Sequence, residues 1–155
     1  MKEFLGYLIP IVSVFLSYFC GRLQSSWAQK QSTKKERYEK FYIPFITSLY
    51  TGRLDLFRYS HLSLEGRGKF FDLIFHNIQY IDEKTQSFLL DFYTAYLNMM
   101  EYESGTPGYD DAPAELDAAF AKVAGSILLE SAKLSRALRL PQIGKAFCVS
   151  DWTRG

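Results

Sequence analysis

Two histidines, two cysteines and a scatter of carboxylates set the chemistry open to this chain. Asp72 and His76 stand four residues apart, so on a helix they share a face. Such a pair suits proton transfer, or half of a metal site. A metal needs three or four ligands held by partners of their own, and His61 is the only other histidine. The pair therefore reads as a hydrogen-bonded surface contact, and no metal ligand set is expected. Gly66-Arg67-Gly68-Lys69-Phe70 looks like part of a phosphate-binding loop. That motif needs a glycine five positions before its Gly-Lys pair and a Ser or Thr after it. Ser63 and Phe70 occupy those places, so a nucleotide site is not supported. Two readings of the segment remain: a plain turn between helices, or an anion held at a helix N-terminus by Arg67 and Lys69.

The other reactive types are no more specific. Cys20 and Cys148 are far apart and imply no disulfide framework. Cys148 has no histidine near it in sequence and reads as an inert buried thiol. The serines lack a nucleophile-elbow pattern. Between Glu101 and Asp117 there are six acidic residues and no basic one. They lack the alternation of a calcium loop. Helix capping and a solvated loop account for them; a sharper reading sets them against a basic surface, on this chain or a partner. No catalytic residue and no cofactor is expected. Arg67, Asp72 and His76 are the best an enzyme could draw on here.

The elements that would position these groups are helical. Tyr38, Phe41, Tyr42, Phe45, Ile46, Leu49 and Tyr50 follow the spacing of one apolar helix face. Pro44 falls inside that run and should kink or locally break it near Ile43. Glu65–Gly68 reads as a turn. Phe70, Phe71, Ile74, Phe75, Ile78 and Ile81 give a second helix. Asp82 caps a third, presenting Phe88, Leu89, Phe92, Tyr96, Met99 and Met100 and ending near Gly105. After the loop 104–112, Asp110, Asp111 and Pro113 open a fourth, with Glu115 and Asp117 in its first turns. Leu116, Phe120, Val123, Ile127, Leu134 and Leu138 form its buried side, and Pro141 stops it. The tail 142–155 has no assigned place. No strand pattern, repeat or low-complexity tract occurs. Aromatics reach 17%, enough to fill a core, and the surplus rings Tyr80, Tyr93 and Tyr102 fall on faces where docking is an alternative to packing.

The first twenty-odd residues are of another kind. Phe4 to Gly21 is an 18-residue run without a charge. As a helix it covers about 27 Å, close to the hydrocarbon thickness of a bilayer. Tyr7, Tyr18 and Trp27 fit aromatic belts, and Arg22 can snorkel to the interface. Pro10 is tolerated in such a span. The alternatives are a cleaved signal peptide, with Ser26-Trp27-Ala28 as a small-x-small site, and a buried core helix. The run exceeds a usual signal-peptide core, and it carries no polar stripe. Residues 22–40 hold six basic side chains against two acidic, while 41–155 are net −3. Basic flanks stay inside, so the expected topology is N-terminus out with the rest cytosolic. Thr33-Lys34-Lys35-Glu36 matches a capping box that would start a helix near Lys34.

The expected fold is thus all-α: an N-terminal transmembrane helix (1–21), a basic polar juxtamembrane stalk (22–33) and a cytosolic bundle of about four helices (34–155). Ser13, Ser17 and Gly21 recur every four residues and could let two anchors associate into a homo-oligomer. Arg22, Lys30, Lys34, Lys35 and Arg37 are the expected contacts to lipid headgroups. The net charge of +1 argues against nucleic acid as a partner.

The anchor, the Gln/Ser-rich basic stalk and the motif Tyr38-Glu39-Lys40-Phe41-Tyr42-Ile43-Pro44-Phe45 resemble small single-pass membrane proteins of bacterial prophages and mobile elements. The resemblance covers the first third of the chain and carries no catalytic residues. It implies action at the host membrane, such as exclusion of a second phage. The expected function is a membrane-tethered module that binds a protein, not an enzyme. An enzyme with an unrecognised pocket and a membrane-perturbing oligomer are the alternatives.

Overall fold

Pro44 leaves its mark on the backbone before any tertiary contact does. It has no N–H to give the carbonyl four residues back, and its ring crowds that carbonyl. The chain answers with a π-helical turn, Tyr38–Tyr42, in which Ile43 N–H reaches Tyr38 O. The regular helix is interrupted there, and Pro44 then sits in the first turn of the helix Ile43–Thr51.

A computed structural model describes residues 22, 24–52 and 58–143. The chain divides into two compact units, Met1–Glu36 and Arg37–Gly155. In the first unit, residues 24–36 are helical (α1). The stalk is therefore helix well before Lys34. Thr33 does not cap it: its hydroxyl donates to the Gln29 carbonyl at 3.0 Å, one turn back inside the helix. No Gly or Pro interrupts residues 24–36, and Gln, Ala and Lys are good helix formers. Among the described residues no helix is long and apolar enough to cross a membrane. The run Phe4–Gly21 and the stripe Ser13, Ser17 and Gly21 lie outside the described residues, as do Cys148 and the tail beyond Ile143.

The second unit is all-helical among its described residues. Its helices are α2 (Ile43–Thr51), α3 (Leu64–Phe75), the single turn α4 (Glu83–Gln86), α5 (Leu89–Glu103) and α6 (Ala112–Ala137). The bundle of about four helices is α2, α3, α5 and α6. At 26 residues α6 is about 39 Å long. The π turn, α4, α5 and a 3₁₀ turn at Tyr59–His61 pack against it, and α2 packs on α3.

Tyr38, Phe41, Tyr42, Phe45, Ile46 and Leu49 are all buried as their spacing requires, whereas Tyr50 is exposed and donates its hydroxyl to the Ile143 carbonyl. Tyr59 lies at the centre of the core. Its ring stacks on Phe120 at 4.0 Å and 6°, with Phe70 and Phe92 closing round it. Its hydroxyl donates to the Arg67 carbonyl at 2.7 Å. Burial first, with Tyr96 adding to it, pushes the Tyr59 hydroxyl far above the usual tyrosine range, against an opposing pull from Arg67.

Four local expectations are corrected. The second helix, expected to run on to Ile81, ends at Phe75, and Ile78 lies exposed in a separate 3₁₀ turn, Ile78–Tyr80. Glu65–Gly68 is not a turn but the first part of α3: Ser63 caps the helix by accepting from Gly66 N–H, and Arg67 anchors its inner face. The helix expected from Asp82 to Gly105 is broken. Asp82 does cap, accepting from Thr85 N–H and its hydroxyl, but the helix stops after one turn and restarts at Leu89. The fully buried Thr85 hydroxyl also lies 2.8 Å from Ser126 on α6, which ties α4 down. Finally, α6 ends at Ala137, ahead of Pro141. Arg139 adopts φ 57°, and Leu140 N–H closes onto Ser135 O at 2.8 Å. By contrast, the end of α5 is as expected: Gly105 takes φ 81° and Thr106 N–H bonds Glu101 O.

Candidate interaction surface

The residues singled out for chemistry are not brought together. Asp72 and His76 share a face of α3 and stand in open solvent. His76 Nδ1 is 2.9 Å from the Asp72 backbone carbonyl and 4.0 Å from its carboxylate. Arg67 points the opposite way, into the protein, and is 1% exposed. Its guanidinium bonds the Ser60 carbonyl at 3.3 Å and the Glu103 carboxylate, and Nε finds no acceptor. Beside it the Asp117 carboxylate accepts from Ser60 N–H at 2.6 Å and from the Ser60 hydroxyl at 2.9 Å. The alternative reading of an anion held by Arg67 and Lys69 finds no footing: Arg67 is committed to the core, and Lys69 pairs with Glu65 at 2.8 Å in solvent. Among the described residues no group of three or more His, Cys, Asp or Glu could hold a metal.

Four of the six residues of the acidic stretch make contacts within the fold. Glu103 meets Arg67, Asp117 meets Ser60, Glu101 accepts from Thr106, and Glu115 accepts from Asn98 at 3.2 Å. Arg22 is exposed, and on α1 Lys30 and Lys35 are exposed and Lys34 is half-buried. Arg37 is placed differently. Its Nε donates to the Tyr80 carbonyl at 2.8 Å, its Nη2 to the Tyr42 hydroxyl at 3.2 Å, and Glu130 lies 3.9 Å away.

What the fold leaves uncovered is apolar. In α5, Leu89, Phe92, Ala95 and Met99 face the core. Turned about a third of a revolution from them, Leu90 is 73% exposed, Met100 46%, Leu97 43% and Tyr93 42%. Their intervals of three, four and three residues draw a straight stripe along the helix. α3 extends the same surface. Phe71 packs on Tyr96 at 4.4 Å and on Tyr93 at 5.9 Å, and Phe75 reaches Tyr93 at 5.9 Å. With Arg67 opposite Glu103 and Phe75 opposite Phe92, the two helices run antiparallel. The half-buried rings of Phe71, Phe75 and Tyr96 line the seam between them.

Sequence reading placed Met100 in the core and passed over Leu90 and Leu97; it noted Tyr93 as a ring on a surplus face. The interval 90-93-97-100 was the available signal. On the other flank of α5, a cleft of about 370 Å³ lies against α6. It is lined by Asp91, Thr94, Asn98, Glu115 and Lys122 over a floor of alanines. Its polar groups are mostly open to solvent and lack the convergence of a reaction centre.

The chain matches no protein-family model, no curated protein and no solved structure.

Proposed function

We propose that this protein is a binding module tethered to the cytosolic face of a membrane, with the α3–α5 surface as its docking face. The observation that carries the reading is that α5 is apolar on both sides. One side fills the core, and the other, Leu90 to Met100, meets water over about 15 Å. Contiguous apolar surface of that kind is uncommon on a protein that works alone. The uncharged run Phe4–Gly21 supplies the tether, and the basic side chains of Arg22, Lys30, Lys34 and Lys35 contact lipid headgroups. Tethering confines the domain to a shell beside the membrane and raises its concentration for partners there. The prophage-like layout supports a role in a membrane process such as superinfection exclusion.

A photo-reactive amino acid at Leu97, and in parallel at Lys133 on α6, tests the docking face in living cells. Lys133 is 72% exposed and remote from the stripe in sequence. The expected result is a discrete adduct from position 97 and none of that size from 133. Equal or absent adducts at both positions would remove the reading.

A further inference from the structure

The chemistry of the partner follows from what borders the stripe. α5 carries Asp91, Glu101 and Glu103 and no basic residue. Glu103 is occupied by Arg67. Asp91 and Glu101 are exposed on the flank nearer α6, and on α3 Asp72 is exposed beside Phe71 and Phe75. The one lysine of α3, Lys69, is neutralised by Glu65. The apolar strip therefore has Asp72 on its α3 edge and Asp91 and Glu101 on the other, where Lys122 of α6 shares the cleft with Asp91 and leaves the edge acidic in balance.

Resting on the docking-face reading, we propose that its occupant is a basic amphipathic helix of another protein. Its apolar side lies along Leu90, Tyr93, Leu97 and Met100, and its lysines or arginines stand over Asp72, Asp91 and Glu101. The intervals of the stripe are those by which one helix receives another. The straight stripe along α5 gives that helix a direction to follow. A second copy of this chain does not suit the surface. Antiparallel α5 stripes would set Asp91 of one copy near Glu101 of the other, and a parallel two-fold pairing would turn the α6 flank of each copy, with Asp91 and Glu101, toward the α3 flank of the other, with Asp72, which repels in either case. Anionic lipid is repelled by the same edge.

The test uses the full chain in nanodiscs of phosphatidylcholine, with empty nanodiscs as the blank. The probe is a fluorescent, hydrocarbon-stapled helical peptide of about four turns, leucine on one face and lysine on the other. A second peptide replaces every lysine by glutamate. Anisotropy titration should show the lysine peptide binding and the glutamate peptide not. Leu97→Glu should weaken binding about tenfold or more with its melting temperature unchanged. Asp72→Asn with Glu101→Gln should weaken it about threefold and flatten its salt dependence. Equal binding of both peptides, or Leu97→Glu binding like the unaltered chain, would overturn the proposal. So would a homodimer that Leu97→Glu dissolves while no peptide binds, which gives the face to a second copy. If the peptide fails but the in-cell adduct at position 97 forms, the basic-helix partner is wrong and the docking face stands. If both fail, both are wrong.

Discussion

Arg67 shows how a single side chain can mislead when read from its neighbours in sequence. Between two glycines and beside a lysine it suggests an anion loop, yet it is the largest fully buried side chain in the described protein. A buried guanidinium is held by its counter-charge, and removing that partner costs more than removing the pair. Glu103→Gln should therefore destabilise the domain by about 1–3 kcal/mol, the partial exposure of Glu103 softening the loss. Arg67→Met should cost less than that, because the freed Glu103 can turn to water. Placed on top of Glu103→Gln, Arg67→Met should recover stability. Thermal melting of the three variants decides it, and a double variant weaker than either single one would contradict the account.

Tyr59 and Tyr42 make a second prediction at the same scale. Burial is the largest cause of the raised pKa in both, and for Tyr42 the Arg37 guanidinium opposes it while Asp82 and Glu130 add to it. The folded protein holds these phenol protons more tightly than the unfolded chain. Stability from them is complete below the unfolded value near 10 and is lost as pH rises above it, by about 1.4 kcal/mol per pH unit for each tyrosine. Melting temperatures from pH 8 to 11 should be level at first and then fall. Tyr59→Phe should make that fall shallower; an unchanged slope would contradict the assignment.

Among the elements, those written in apolar spacing were legible and those written in single polar contacts were not. The buried face Tyr38 to Leu49 and the inner face of α6 could be read directly, because burial repeats with the helix. The break after Gln86 could not. It depends on Asp82, Thr85 and Ser126 meeting across two helices. The start of α3 was missed because two glycines outweigh one Ser63 cap when only local preference is counted. The outward stripe of α5 was hidden by the strength of the inward one: leucine at 90 and 97 reads as core until the core is known to lie elsewhere. The end of α6 carries its own prediction. Arg139 occupies a left-handed conformation that usually falls to glycine. Arg139→Gly should stabilise the domain by about 1 kcal/mol, read as a rise in melting temperature. A fall would show that the Arg139 side chain contributes more than its backbone strain.

For the whole molecule, the account joins a sequence property to a structural one. The uncharged run Phe4–Gly21 and the basic residues after it carry the proposed place and orientation; the bare side of α5 carries the proposed task. The first predicts that the protein stays with membranes through a carbonate wash. It also predicts that protease added outside spheroplasts leaves the bundle intact. Release by carbonate, or digestion from outside, would contradict it.

The second is met most directly by radical footprinting of neighbouring methionines. Met100 is 46% exposed and Met99 only 6%, so in the purified protein Met100 should oxidise readily and Met99 should not. In cells, with the equally exposed Tyr50 of α2 as the reference, a docked partner should protect Met100. Met100 as reactive in cells as in the purified protein would mean that the face stays bare where it is supposed to work.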